Sequence, residues 1–203
     1  MSMRWLPNPE PGTQIAAAFD GSENNDHTAI RAETKDGFQF TPRYGPDRRP
    51  MIWDPNQWDG QIPRGEVDAA VDELFTVYNV SRFYCDPSGW YSEIGDWAAR
   101  FGQDKVFEWS NARIDRMYHA IRRFETDLTT RRISHDGCPI TAVHVANAQK
   151  VAKPGQKYVL GKPTDHQKID ATQASIVAHE AAADTRDAGW PDLTPVSSKM
   201  ICF

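Results

Sequence analysis

The chain has 203 residues, of which 39% are hydrophobic and 25% charged. That excludes a disordered or fibrous polymer and leaves room for one core burying about 70% of the unfolded surface. A net charge of −5 excludes a uniformly basic nucleic-acid binder, yet the arginines cluster: Arg113, Arg116, Arg122, Arg123, Arg131 and Arg132 stand against only Asp115, Glu125 and Asp127. A basic strip on an acidic body reads either as a track for a polyanion or as a solvated helix face. Cys85, Cys138 and Cys202 are widely spaced and lack CxxC spacing, which argues for a reducing compartment and against a zinc ribbon. The longest apolar runs, such as Ile15–Phe19, are far too short to span a bilayer, and no secretory signal opens the chain.

Residues 1–14 are proline-rich and aperiodic, a linker or expression edge of something longer. Ile15–Asp20 is an apolar run ending in a charge, as in a buried strand. After the polar turn 21–26, Thr28–Glu33 and Phe38–Tyr44 predict two more strands around the hairpin signal Lys35-Asp36-Gly37. Residues 45–65 predict a long loop. Val67, Ala70, Val71, Leu74 and Tyr78 recur at helical spacing and predict a helix over 66–79. Val80–Cys85 predicts a strand ending at Asp86 and the breaker Pro87-Ser88-Gly89. A helix over 90–101 and a short strand over 105–109 follow. Ile114, Met117, Tyr118, Ile121 and Phe124 give the clearest helical stripe, with the arginines mainly off it. Pro139 suits the first turn of a helix to about Gln149. One or two short strands fit 150–160. Thr164 and Gln167 match a capping box that opens a helix to about Ala183. The body, 15–186, is then one mixed α/β domain with a single sheet, and 187–203 is an irregular tail.

Three aspartates sit where a structural role is awkward. Asp20 and Asp86 end apolar strands. Asp170 lies in the second turn of the last predicted helix, on the face continued by Ala174, Val177, Ala178 and Ala181. An ionised carboxylate on such a face is costly unless something positive satisfies it. A hard divalent cation, Mg²⁺ or Mn²⁺, is the common solution. Two such cations about 3.5–4 Å apart would support phosphodiester hydrolysis. Each aspartate alone also fits a turn or cap. Together, on two strand ends and a helix, they favour a metal site.

Asp26 is a weaker ligand candidate in a turn. His144 and Asn147 share a helix face and are placed to touch DNA or a metal-bound water, or simply to pack. Lys162 precedes the last helix and suits a phosphate as a point charge. Lys162, Lys168 and His144 form the alternative DNA path to Arg113, Arg116, Arg122 and Arg123. Gly155–Lys162 imitates a P-loop, but its spacing is one residue too long and Pro163 stands where Ser or Thr would hold Mg²⁺. ATP hydrolysis is not expected.

Ala18-Phe19-Asp20-Gly21-Ser22 with Asn25–Ile30, then Phe83-Tyr84-Cys85-Asp86-Pro87, then His135-Asp136-Gly137, His144–Ala148, Lys162-Pro163, Lys168–Ala171 and Ala178-His179 form an ordered series over Ile15–Ala183. The series resembles the nuclease domain of tailed-phage terminase large subunits. The resemblance implies an RNase H-like (RuvC-like) fold, a mixed central sheet flanked by helices. It also implies a metal-dependent endonuclease that cuts concatemeric viral DNA during genome packaging, with Asp20, Asp86 and Asp170 as the metal triad. Double-stranded DNA is then the substrate. Other terminase subunits and the portal are partners through the full-length protein, no membrane is involved, and the setting is the cytoplasm of an infected bacterial host. That family's ATPase motor has no counterpart here. Other RNase H-like nucleases (a Holliday-junction resolvase or a transposase-type enzyme) share such a triad. A non-catalytic docking module of the same fold is a different class, and so is a glycosidase using the loop from Trp53 to Trp58 as a sugar platform.

Overall fold

The computed structural model describes residues 4–23 and 25–192, so most of the predicted tail, with Cys202, lies outside the described residues. The strands are β1 (Gln14–Asp20), β2 (Thr28–Thr34), β3 (Phe38–Phe40), β4 (Arg43–Tyr44), β5 (Arg49–Pro50), β6 (Ile52–Trp53), β7 (Asn79–Cys85), β8 (Val106–Glu108), β9 (Ser134–His135), β10 (Gln149–Lys153) and β11 (Lys157–Gly161). The helices are α1 (Arg64–Val77), α2 (Tyr91–Phe101), α3 (Ile114–Thr129), α4 (Pro139–Asn147) and α5 (Asp170–Ala188). The main sheet runs β8-β7-β1-β2-β3-β9, with β6 also paired to β2. β1 is antiparallel to β2 but parallel to β7, and β7 is parallel to β8. The carboxyl ends of β1, β7 and β8 therefore open on one edge of the molecule. This is the mixed α/β sheet flanked by helices that the sequence predicts.

Alternation along β1 decides the layers. Ile15, Ala17 and Phe19 point into the larger core with Val67, Val71 and Leu74 of α1 and Ile94 and Trp97 of α2. Ala16 and Ala18 point to the other face, against Met117 and Ile121 of α3 and Val177, Ala178, Ala181 and Ala182 of α5. Small residues on both partners let α5 lie close on the strands, so most α5 residues are buried. Phe19 is clamped edge-on by Trp90 and Trp97, with ring centroids at 5.0 and 5.2 Å. Such aromatic pairs contribute roughly 0.5–1.5 kcal/mol each beyond area burial. A Cβ on Gly21 would meet the Phe19 ring at 2.5 Å and the Trp90 ring at 2.6 Å. Gly21 thus lets the chain turn sharply over these rings directly after Asp20.

Buried polar links fix α5 against the sheet. Arg31 of β2 donates to Ser175 Oγ at 3.0 Å and lies 3.4 Å from Asp136. His179 bridges Glu33 Oε2 at 2.8 Å and Asp127 Oδ2 at 3.1 Å. Both ring nitrogens of His179 face carboxylate oxygens, so the ring ties Glu33 of β2 and Asp127 of α3 to α5. Removing one partner of such a set leaves a buried charge uncompensated, which makes the α5 register expensive to change.

Several predicted boundaries move. The strand predicted over 38–44 splits into β3 and β4, with Pro42 lacking the N–H a ladder needs. The predicted loop 45–65 contains β5, β6 and a 3-10 turn at Pro55–Gln57. Trp53 is a core residue whose indole N–H donates to Tyr44 Oη at 2.9 Å, so it offers no sugar platform. Residues before β1 have no regular structure but are tied down: Leu6 N–H donates to Asp136 O at 2.7 Å and the Arg43 guanidinium lies over Trp5. The segment with P-loop-like spacing is the hairpin β10–β11.

The last helix starts five residues later than predicted, capped at Ile169 rather than Thr164. Gln167 N–H does donate to Thr164 O at 3.1 Å, but as an isolated turn. Lys168 is drawn away to Asn25 O and Asp26, and Ile169 takes φ −133°, which breaks the helical run. Asp170 is therefore the first residue of α5, not a second-turn residue.

Candidate active site

The topology delivers the three aspartates to one place. Asp20 is the last residue of β1, and Asp86 follows β7 directly, its N–H donating to Phe19 O at 3.0 Å. Asp170 opens α5, which crosses β1 and β2. All three line one open cleft of about 440 Å³, together with Gly21, Ser22, Asp26 and Ser88.

The electrostatics of this cleft are dominated by negative charge out of water. Burial, then the charges of Asp170 and Asp86, raise the Asp20 carboxyl well above the ordinary range. Burial raises Asp86 as well. Burial raises Asp170 to about 6, opposed by its own backbone amide and by Lys162 and Lys168, and aided by Asp26. Asp170 Oδ2 is buried without a hydrogen-bond partner. An orphaned buried oxygen among ionisable oxygens is what a hard divalent cation would satisfy, so the donor set fits Mg²⁺ or Mn²⁺. The oxygens do not yet form a cage: no three His, Cys, Asp or Glu side chains among the described residues are grouped as a ready-made ion site. Asp20 is held by Asn111, whose Nδ2 donates to its Oδ1 at 2.9 Å.

The remaining candidates fall into three groups. Asp26 is committed to lysines: Lys162 Nζ bonds it closely and Lys168 Nζ lies at 2.9 Å. Burial works against ionisation of Asp26, but the two lysines outweigh it and its acidity is increased. Asp26 is thus a lysine holder beside the trio, and the lysines carry one net positive charge to the edge of the cleft.

His144 is buried, and its Nδ1 accepts the Ala171 N–H at 3.0 Å. Burial, followed by the charges of His27 and Lys168, lowers it to about 4, so the ring is neutral. Because Ile169 supplies no side-chain cap, His144 satisfies an orphan amide of the first turn of α5. Asn147 donates to Lys168 O at 3.0 Å. Both residues support the entry to α5, so neither side chain is free to read DNA in this arrangement.

The arginines are exposed along α3. Arg113 and Arg116 lie at the end nearest the carboxylates, because β8 runs parallel to β7 and α3 starts just beyond it. Arg116 stacks on Trp109 at 3.4 Å, Arg122 meets Tyr118 Oη at 3.1 Å, and Arg123 lies 3.6 Å from Glu180.

Sequence reasoning missed Asn111. It sits in the loop after β8, and its place beside Asp20 and Asp86 depends on the register of β8 on β7. A polar residue just past a third parallel strand is the only signal that pointed to it.

No protein-family model matches the chain. The Gene 13 proteins of Mycobacterium phages D29 and L5 are each 29% identical to it over 185 residues, 85% of this chain. The chain spans about 30% of the length of these curated relatives. Among solved structures, the large terminase nuclease from thermophilic phage G20c aligns with a TM-score of 0.66 at 9% identity, covering 88% of this chain and 94% of that one. The same nuclease with bound magnesium aligns at 0.60 and 11% identity, covering 88% and 93%. The fold of this chain is that of large terminase nuclease domains, as the sequence resemblance implies.

Proposed function

We propose that this chain is a metal-dependent DNA endonuclease, the nuclease part of a phage terminase, which cuts concatemeric viral DNA during genome packaging. The observation that carries the reading is the convergence of Asp20, Asp86 and Asp170 in one cleft, with Asp170 Oδ2 buried and unpaired. The magnesium-bound relative and the phage origin of the relatives support it.

In this reading the three carboxylates hold one or two Mg²⁺ or Mn²⁺ ions. When bound, the cations lower the pKa of water and neutralise charge on the phosphoryl oxygens and leaving oxygen. The chain's own residues do the rest. Trp90 and Trp97 keep Phe19, and so Asp20, from moving. His144 and Asn147 hold the start of α5, and so Asp170. Lys162 and Lys168 stand at the rim as point charges for a phosphate, and Arg113, Arg116, Arg122 and Arg123 offer a track for the duplex backbone along α3. Double-stranded DNA is the substrate, and the remaining terminase parts and the portal are the partners. The working place is the cytoplasm of the infected host. Among the described residues no helix is long and apolar enough to cross a membrane.

Incubation with supercoiled plasmid tests the proposal. Mn²⁺ or Mg²⁺ should yield nicked and then linear DNA, and EDTA should leave it intact. Asp20→Asn, Asp86→Asn and Asp170→Asn should each lower the rate at least ~10²-fold, since each removes charge stabilisation in the transition state. Cutting that persists in EDTA would sink the reading.

A further inference from the structure

We propose that Asn111 is a positioning residue of this site: it fixes the Asp20 carboxylate from one side and Asp86 from the other, so that both are set for the cation. The inference rests on the metal-dependent reading above and adds a residue from outside the three acidic elements.

Asn111 touches both strand-end carboxylates. Its Nδ2 donates to Asp20 Oδ1 at 2.9 Å, across 91 positions of sequence. Its backbone N–H donates to Asp86. The Asn111 amide offers Asp20 a hydrogen-bond donor. It does so without adding charge, so it does not compete for a cation as a lysine would.

The amide orientation suits the chemistry. The NH₂ of Asn111 faces Asp20, the arrangement that an ionised, acceptor-only carboxylate needs. That turns Asn111 Oδ1 the other way, where it is buried without a partner. A buried carbonyl left unpaired is uncommon and calls for a compensating role. The role here is the bond on the opposite side of the same amide.

The loop that carries Asn111 is anchored independently of Asp20. Trp109 N–H donates to Cys85 O at 2.7 Å, directly before Asp86, and Arg113 N–H closes on Ser110 O at 3.3 Å. Tyr84 stacks on Trp109 with ring centroids 4.7 Å apart. The donor is thus delivered by packing, and Asp20 is the group that adjusts to it. Residues that orient metal ligands in this way are worth roughly 10–100-fold in metal affinity.

Mn²⁺ titration by calorimetry on the full chain at pH 7.5 tests the assignment. Asn111→Leu keeps the branched shape and removes the donor, and Asn111→Gln keeps an amide donor. The expected result is a Mn²⁺ dissociation constant ~10–100-fold higher for Asn111→Leu, largely recovered in Asn111→Gln, with both variants melting near the wild type in EDTA. Wild-type affinity in Asn111→Leu would overturn the inference. So would equal weakening in both variants with lowered melting points, since that marks a mere packing role. If Asn111→Leu does not fold, a Mn²⁺ affinity of Asn111→Gln beyond 100-fold below wild type overturns it on its own. Failure of the wild type to bind Mn²⁺ would remove the metal reading itself, and this inference with it.

Discussion

Replacing Asp170 by asparagine separates the cost of the site from its use. Asp170 is nearly as buried as the core, and burial with the nearby Asp26 charge raises it from 3.8 to about 6. The native carboxyl thus holds a proton that the unfolded one has released. Stability tied to this group is fully present below pH ~4, falls as pH rises through the window from 3.8 to about 6, and is lost above it. At ~1.36 kcal/mol per pH unit, the ionised group costs the metal-free fold on the order of 3 kcal/mol at neutral pH.

Asp170→Asn keeps the size and removes the charge. In EDTA at pH 7.5 the variant should be more stable by up to that amount. For a chain of this size each 1 kcal/mol moves the melting midpoint by about 2–4 °C, so a rise of several degrees is expected. At pH 4 the wild type is protonated and the difference should vanish. Added Mn²⁺ should reverse the order, because a ligand stabilises by RT ln(1 + [L]/Kd) and the variant has lost a binding charge. Thermal melts at pH 4 and 7.5, with EDTA and with Mn²⁺, measure all four corners. Equal midpoints at pH 7.5 in EDTA, or a gain at pH 4 as large as at pH 7.5, would refute the reasoning.

Two further outcomes are expected. Arg122→Ala with Arg123→Ala should weaken binding by a similar factor on unrelated duplexes and lower the slope of log K against log[salt] by about 0.9 for each phosphate that is no longer neutralised; an unchanged slope would reduce this part of α3 to a solvated face, where ion pairs contribute little. His144→Ala should lower the melting midpoint at pH 8 by removing a cap worth ~1 kcal/mol. That deficit should shrink as pH falls below 6.5, because the unfolded wild type takes up a proton that the buried ring refuses until about pH 4. A deficit equal at pH 8 and pH 5 would contradict the buried neutral ring.

How much of this was legible in the sequence depended on range. β1, α1, α2 and α3 announce themselves because their periodicity is local and their partners need only be apolar. Asp20 and Asp86 stood out for the same reason, as charges ending apolar runs. The start of α5 was misread because a local capping signal, Thr164 and Gln167, was outweighed by distant bonds from Lys168 to Asn25 and Asp26. β9 has two residues and leaves no periodic trace. His144 looked like a ligand or a DNA contact because sequence shows a polar side chain but not the amide of Ala171 waiting for it. Asn111 was invisible because its role exists only once β8 is in register with β7.

Asp26 shows how the same limit affects chemistry. Read along the chain, it is one more acidic residue near Asp20 and so a candidate ligand. In space it is the shared counter-ion of Lys162 and Lys168, which come from beyond the β10–β11 hairpin, more than 130 positions away. One carboxylate between two ammonium groups leaves a positive surplus beside Asp170, at the mouth of a cleft that is otherwise negative. The arrangement separates two tasks by position. In the metal-dependent reading, the carboxylates at the strand ends and the start of α5 meet the cations. The lysines are kept off those carboxylates by Asp26, which takes up the attraction they would otherwise direct at Asp170. Without Asp26 a lysine could neutralise Asp170 directly and occupy the place of a cation. Its contribution to the site, in the metal-dependent reading, is therefore to hold the two lysines away from the three carboxylates.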